Sequence, residues 1–255
     1  MNTALYGKAR VRILPSRQEL GAAAANDAAQ IIREAAKRHG LARIIFATGN
    51  SQLDMIAALV EAPGVPWNLV EAFHMDEYVG MPASHRSSFR RWIKTLVEDR
   101  VHPGSVQYLA GDAPDLEAEM QRYSRLLNAA RIDLAFVGFG ENGHIAFNDP
   151  HTADFADAAT VKRVLIDEAS QRQQAGEGHF ESPESVPRDA LTISCPGLFR
   201  ADAWVCCVPD LRKASAVRGA LQGPVSTTCP SSIVRTHPNA TVYLDMESAS
   251  GLQPR

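Results

Sequence analysis

Along almost the whole chain, short apolar runs alternate with longer amphipathic stretches. This alternation is typical of strands joined by crossover helices around a mostly parallel sheet. The sequence therefore predicts an α/β fold, with the strands contributing to one sheet. The predicted strands are residues 43–46, 69–74, 133–137, 190–193, 203–208 and 241–244.

The first long helix has recognisable ends. Ser16 and Glu19 form an S-x-x-E capping box, and Gly40 follows a basic last turn. We expect this helix to be scaffold. A later helix is predicted to begin at the N-cap Asp210 and to end at Gly223.

Charge, hydropathy and cysteine content exclude several classes of function. Lys and Arg number 26 against 29 Asp and Glu, without a basic stripe, so no nucleic-acid partner is expected. No apolar run reaches the roughly 18 residues that cross a bilayer, so no membrane role is expected. The four cysteines contain no C-x-x-C pair, and we expect Cys206 and Cys207 to pack in the core. These features predict a cytoplasmic protein.

Residues 151–187 interrupt the periodic pattern. The stretch is polar apart from Val161, residues 164–166 and Phe180, and it contains Gly176 and Gly178. Two interpretations remain open, namely a lid over a binding site and an ordinary surface insertion.

Polar residues follow three of the predicted strands. Strand 43–46 leads into the turn at residues 48–51, strand 69–74 leads into Asp76 and Glu77, and strand 133–137 leads into residues 138–150. Ligand sites of open parallel sheets lie at the carboxyl ends of strands. Consecutive side chains point to opposite sides, so only one of the two carboxylates is expected to face the crevice, unless both belong to a turn or helix cap.

The segment from Gly138 to Gly143 matches the G-x-G-x-x-G pattern of dinucleotide-binding proteins. A true fingerprint opens a long helix, whereas here Pro150 follows soon after Gly143 and no helical pattern is visible. We therefore expect no nicotinamide or flavin cofactor.

His144 and Asp149 place an imidazole and a carboxylate in one loop, which suits general acid–base chemistry. The glycines before His144 suggest close approach of the backbone to a ligand, and a purely structural histidine is the alternative. A metal site through His144, Asp149 and His151 lacks an i, i+4 histidine pair or a cysteine partner, so no metal is expected.

Several segments together resemble the glucosamine-6-phosphate deaminase family. They are residues 46–51, the M-D-E-Y-V-G block within residues 73–80, the G-H-I-A-F-N block within 138–150, and residues 190–193 and 221–226. The resemblance is collinear from about residue 10 to 247. It implies a modified Rossmann-like sheet with helices on both faces, forming a single domain over residues 1–255. It also implies conversion of glucosamine 6-phosphate and water into fructose 6-phosphate and ammonia, with no cofactor.

The same resemblance assigns catalytic roles. Asp76 resembles the base that moves a proton between C2 and C1 of the open-chain sugar, and His144 resembles the residue that opens the pyranose ring. Asn142 and Asp149 flank His144 where the family places its orienting partners. Asp149 stands where glutamate is usual and is shorter by one methylene.

The resemblance also suggests a set of substrate-binding residues, consisting of the sugar-phosphate turn, a loop residue and two cations: Thr48, Gly49, Asn50, Ser51, Ala146, Arg172 and Lys213. Helix N-termini favour phosphate, and an ammonium adds positive charge there. Ungapped comparison puts Gln171 rather than Arg172 at the position of the family's phosphate-binding arginine. Thr160 stands where a regulatory site has arginine, so no allosteric activation is expected.

Three functional alternatives stay open. Galactosamine 6-phosphate differs from the glucosamine compound at one hydroxyl whose contacts the sequence does not place. Related 6-phosphogluconolactonases share the fold and a glycine-histidine loop, and a silent sugar-phosphate sensor would keep Lys213 without needing Asp76 or His144. Some members of the family are hexamers, so a homo-oligomer is an alternative to a monomer.

Overall fold

The computed structural model describes residues 2–254, whose strands form two sheets. The strands in this range are β1 (Asn2–Tyr6), β2 (Ala9–Leu14), β3 (Ala42–Phe46), β4 (Val70–His74), β5 (Asp76–Tyr78), β6 (Ser105–Gln107), β7 (Leu134–Val137), β8 (Val161–Leu165), β9 (Asp189–Ile193), β10 (Trp204–Val208) and β11 (Ala240–Asp245). The larger sheet has the order β1-β2-β11-β10-β7-β3-β4-β6, and the smaller one has the order β5-β9-β8.

In the larger sheet only β1 and β2 pair in an antiparallel manner, among the residues described, and every other pair of neighbours is parallel. All residues of β3, β7 and β10 are buried, which explains why β7, β10 and residues 44–46 of β3 are continuous apolar runs in the sequence. The predicted α/β class with a mostly parallel sheet is confirmed.

Helices flank the sheet. They are α1 (Arg17–His39), α2 (Leu53–Val60), α3 (Phe89–Ile93), α4 (Asp99–Val101), α5 (Leu116–Asn128), α6 (Glu168–Gly176), α7 (Cys195–Phe199) and α8 (Ala214–Gln222). Short 3₁₀ segments, Asn50–Gln52 and Leu211–Lys213, precede α2 and α8.

Helix α1 has the predicted ends. The Glu19 N–H donates to the Ser16 hydroxyl at 3.2 Å, and Gly40 ends the helix in the left-handed region at φ 74°. Its alanine-rich face packs against the sheet and against α2. A Cβ at Gly21 would lie 2.7 Å from the Asp54 Cβ, so the close contact between α1 and α2 requires glycine.

The strand order places a crevice between β3 and β7. From β3 the chain proceeds outward to β4 and β6, and it then returns to the other side of β3 as β7, followed by β10 and β11. Such a reversal is a topological switch point, where the loops at the carboxyl ends of adjacent strands diverge and leave room for a ligand. The loops after β3 and β7 are therefore the expected walls of a site.

The assignment of residues 190–193 to the main sheet is wrong. Strand β9 pairs antiparallel with β5 and β8 in the smaller sheet. Residues 151–187, which show no regular periodicity in the sequence, contain β8 and α6. Their apolar side chains Val164, Ile166 and Phe180 join Tyr78 and Phe147 in a second hydrophobic core.

Cys206 and Cys207 are buried in β10, as predicted, and none of the four cysteines is in a disulfide bond. Within residues 2–254, every helix is too short or too polar to cross a lipid bilayer.

Candidate active site

A cavity of about 70 Å³ lies at the switch point. Its walls come from the loops after β3, β4, β7 and β10 and from one face of α6. The lining residues are 47–51, 75, 76, 89, 138–140, 144, 146, 147, 173, 174, 177 and 213. The structure therefore brings together the turn at residues 48–51, Asp76, His144, Ala146 and Lys213.

Asp76 and Glu77 point to different sides, as the alternation along β5 predicts. Asp76 lines the cavity, whereas Glu77 is fully buried away from it. The Glu77 carboxylate accepts hydrogen bonds from the Ser88 hydroxyl at 2.6 Å and from the Arg90 backbone N–H at 3.0 Å. The helix-cap interpretation therefore applies to Glu77 at the start of α3, and Asp76 is the carboxylate available to a ligand.

The Asp76 side chain has the environment of a base. Within residues 2–254 its carboxylate has no hydrogen-bond partner, and it is buried. Burial raises the pKa of Asp76 well above its ordinary value, and the negative charge of Glu77 raises it further. A carboxylate of raised pKa that protein groups leave free can accept a proton from a ligand.

His144 lies flat over Gly140. A Cβ at residue 140 would overlap the imidazole ring. Glycine at this position makes room for the histidine, and Gly140 itself lines the cavity, so its backbone is open to a ligand there. The backbone N–H of His144 donates to the Asn142 side-chain oxygen at 3.0 Å, which fixes the start of the loop.

Asp149 orients the imidazole. Its Oδ1 lies 3.0 Å from His144 Nδ1 and also accepts from the Asn142 amide at 3.0 Å. Burial alone would raise the pKa of Asp149, but the hydrogen bonds from His144, Asn142 and Ser170 hold it well below the ordinary value. Because Asp149 is ionised, Nδ1 of His144 carries the proton and Nε2 is left to act on a ligand. The shorter aspartate thus reaches the histidine.

Helix α6 contributes residues that the sequence analysis missed. The Ser170 hydroxyl donates to Asp149 Oδ1 at 2.5 Å and lies 2.9 Å from His144 Nδ1. Asp167 accepts from the Asn142 amide at 3.0 Å. These contacts dock the start of α6 on the His144–Asp149 pair, so the geometry of this pair depends on the position of the helix.

A signal for these residues is present in the sequence. Ser170, Gln173, Gln174 and Glu177 stand at i, i+3, i+4 and i+7, which places them on one face of a helix. Ser170, Gln173 and Gln174 are buried although all three are polar. A buried polar helix face of this kind indicates a binding surface. Gln173, Gln174 and Glu177 line the cavity.

Ser170→Ala is expected to lower kcat about tenfold, the lower end of the roughly ten- to hundred-fold effect that corresponds to about 1.5–3 kcal/mol for a hydrogen bond to a charged group. The remaining Asp149 contact would keep His144 partly oriented. The pH profile of kcat should also shift, since the hydrogen bond from Ser170 helps to lower the pKa of Asp149. Ser185→Ala removes an exposed hydroxyl from the same region and is the control. An unchanged kcat in a folded Ser170→Ala variant would contradict the positioning role.

The turn after β3 forms the second end of the cavity. Thr48, Gly49, Asn50 and Ser51 all line it. Helical structure begins at Asn50, and Gly49 precedes it at φ 93°, a conformation that favours glycine. Ala146 also lines the cavity and adopts φ 50°, which is unusual for a residue with a side chain.

Asp210 stands at the N-cap position three residues before Lys213, as predicted, but the segment that it begins is a 3₁₀ turn and the Asp210 side chain does not cap it. Asp210 makes no capping hydrogen bond, because its carboxylate lies 3.2 Å from Arg17. Lys213 is at the end of the 3₁₀ segment, lines the cavity and is only 3% exposed. Its ammonium lies 3.6 Å from the Glu177 carboxylate, a partner distant in the sequence. Burial lowers the pKa of Lys213, and Glu177 opposes this effect.

Arg172 is not brought to the cavity. Its side chain is 63% exposed, and its guanidinium lies 3.4 Å from Glu168 on the outer face of α6. Asn142 also stays outside the cavity lining and acts through His144 and Asp149. The donor atoms of Asp149, His151 and Asp167 lie within 4.8 Å of one another, but Asp149 is already engaged by the hydrogen bonds described above.

Known proteins share both the sequence and the architecture. The family model for glucosamine-6-phosphate isomerases and 6-phosphogluconolactonase matches residues 15–243. A glucosamine-6-phosphate deaminase of Arthrobacter sp. (strain FB24) is 34% identical over 249 residues, covering 95% of this chain and 92% of the relative.

Among solved structures, a monomeric glucosamine-6-phosphate deaminase is similar with a TM-score of 0.85 and 28% identity, covering 95% of this chain and 99% of that one. The 6-phosphogluconolactonase of Trypanosoma brucei has the same fold, with a TM-score of 0.78 and 17% identity over 99% of this chain and all of that one. The family resemblance inferred from the motifs is confirmed, and the chain belongs to the glucosamine-6-phosphate isomerase/6-phosphogluconolactonase family.

Proposed function

We propose that this protein converts a 2-amino-2-deoxyhexose 6-phosphate and water into a ketohexose 6-phosphate and ammonia, with glucosamine 6-phosphate as the first candidate substrate. One observation carries the proposal: an unpaired carboxylate, Asp76, and an oriented imidazole, His144, line the same cavity. The relatives named glucosamine-6-phosphate deaminase support the choice of substrate.

Ring opening is assigned to His144. Its unprotonated Nε2 takes the proton from the C1 hydroxyl and then passes it to the ring oxygen as the bond between C1 and that oxygen breaks, which yields the open-chain aldehyde. The ionised Asp149 stabilises the imidazolium that forms between these transfers, because the two groups lie 3.0 Å apart. Asn142, Ser170 and Asp149 keep the ring in place.

Isomerisation is assigned to Asp76. The carboxylate removes the proton from C2 and returns it to C1, while the C1 carbonyl oxygen gains a proton and the amino group loses one. C1 thereby becomes a CH2OH group and an imine forms at C2. Water adds to this carbon and ammonia leaves, which gives the ketone. The raised pKa of Asp76 favours this chemistry, because a carboxylate of higher pKa is a stronger base.

Phosphate binding is assigned to the turn at residues 48–51 and to Lys213. Lys213→Ala is expected to raise KM roughly ten- to a hundred-fold, since a charge-assisted contact is worth about 1.5–3 kcal/mol. The same contact is made in the ground and transition states, so kcat should change much less. Lys37→Ala, an exposed lysine on α1, is the control. An unchanged KM would remove Lys213 from the phosphate site.

We also propose that residues 1–255 act as one catalytic domain with residues 151–187 as its lid, supported by the contacts of α6 with the cavity. The buried free cysteines support work in a reducing compartment such as the cytoplasm.

The test is release of ammonia and ketohexose 6-phosphate by the purified protein from both hexosamine 6-phosphates, without added metal or nicotinamide. Activity on either epimer that survives a chelator would support the proposal. Inactivity on both, together with hydrolysis of 6-phosphogluconolactone, would contradict it.

A further inference from the structure

Glu177, directly after α6, contacts both elements assigned to the phosphate group. Its carboxylate lies 3.6 Å from the Lys213 ammonium, and its backbone carbonyl accepts a hydrogen bond from the Asn50 side chain at 3.1 Å. Glu177 also lines the cavity. The Glu177 carboxylate thus already occupies the side of the Lys213 ammonium to which the phosphate group of the substrate would bind.

This carboxylate keeps its charge. Burial by itself would raise the pKa of Glu177, but contacts with His179, Lys213 and Gln173 lower it to about 2. The Glu177 side chain is 6% exposed and that of Lys213 is 3% exposed, so solvent screens the pair poorly. A phosphate dianion beside Lys213 would meet an ionised carboxylate, and like charges repel strongly in such surroundings.

The size of the cavity leads to the same conflict. Its volume is about 70 Å³, whereas pockets for small organic ligands usually start at about 300 Å³. Gln173, Gln174 and Glu177, which belong to α6 and the residue after it, form part of the wall. A hexosamine phosphate therefore fits only if this part of the chain moves outward.

A histidine side chain also faces Glu177, from the segment that follows α6. Nε2 of His179 lies 3.6 Å from the Glu177 carboxylate and is a buried nitrogen without a hydrogen-bond partner among the residues described. If the Glu177 carboxylate moves away from Lys213, it can keep its contact with His179, and the Lys213 ammonium becomes available to another anion.

We propose, on the basis of the function above, that Glu177 determines specificity by competing with the substrate's phosphate group for Lys213. Binding of a phosphorylated sugar displaces the carboxylate and moves the end of α6 outward. Sugars that lack the phosphate leave the Lys213–Glu177 contact intact and do not open this end of the cavity. Glu177 thus makes binding of a sugar in the cavity depend on a phosphate group that can displace the carboxylate.

The direct test is calorimetric titration of the protein with inorganic phosphate. Glu177→Gln keeps the size of the side chain and removes its charge, so this variant should bind phosphate at least about tenfold more tightly than the wild type, as expected when about 1.4 kcal/mol of repulsion is lifted. Glu168→Gln removes the same charge from the same helix at a side chain that is 87% exposed, and it should change binding less than twofold. Adding Lys213→Ala to the Glu177→Gln variant should abolish the tighter binding of phosphate.

Kinetics separates this proposal from the proposed function. If the enzyme is active, Glu177→Gln should lower KM for the hexosamine 6-phosphate about tenfold, in parallel with phosphate binding. If the wild type is inactive on both hexosamine 6-phosphates, the proposed function fails, but the phosphate titration still decides the role of Glu177. Equal or weaker phosphate binding by Glu177→Gln would overturn the proposal. If that variant does not fold, Glu177→Asp, which retracts the carboxylate by one methylene, should show a smaller gain, and no gain would overturn it.

Discussion

Asp76→Asn is expected to lower the rate of ammonia release about 10⁴-fold, at the upper end of what a general base contributes. An amide has nearly the shape of the carboxylate but cannot accept the C2 proton. No hydrogen bond from residues 2–254 holds the Asp76 carboxylate, so the substitution should leave the surrounding structure intact. It also removes a buried charge, and the melting temperature should therefore stay the same or rise.

The measurement is kcat/KM for ammonia release, with thermal unfolding followed by circular dichroism. Asp154→Asn, at an exposed position, is the matched control and should retain full activity. A folded Asp76→Asn enzyme within tenfold of the wild-type kcat/KM would show that another group removes the C2 proton.

His144→Gln is expected to lower turnover about 10²–10³-fold and to leave a residual rate. Glutamine cannot relay a proton to the ring oxygen, but sugar that opens spontaneously still reaches Asp76. The residual reaction is then limited by ring opening in solution. Its rate should stop rising as the enzyme concentration increases, whereas the wild-type rate should stay proportional to it.

Two outcomes would contradict this division of labour. A complete loss of turnover in His144→Gln, equal to that in Asp76→Asn, would mean that His144 takes part after ring opening. A residual rate that remains proportional to enzyme concentration would mean that another group of the protein opens the ring.

Local patterns predicted much of the scaffold. The ends of α1 followed from Ser16 and Gly40, because capping depends on residues close in sequence. The sequence did not predict which sheet contains residues 190–193, because an alternating pattern indicates a strand but does not identify the strands that pair with it. β9 pairs with Asp76–Tyr78, more than a hundred residues earlier.

The same limit applies to the site. The motif residues Asp76, His144 and Lys213 meet at the cavity as expected from the family resemblance. The spacing of Ser170 and Glu177 places them on one face of a helix, but their roles could not be assigned from the sequence, because these depend on the packing of α6 over a distant loop. Ser170 lies 26 residues from His144, within a stretch that lacks apolar periodicity.

The most direct test of the central claim, that Asp76 and His144 act together on a hexosamine 6-phosphate, is the reaction of the wild-type enzyme in deuterium oxide, followed by NMR. The account predicts ammonia release together with a ketohexose 6-phosphate that carries deuterium at C1, because the proton held by Asp76 can exchange with solvent before it is returned. Asp76→Asn should give neither product nor label. Ammonia release by Asp76→Asn at the wild-type rate, or lactone hydrolysis without ammonia release by the wild type, would contradict it.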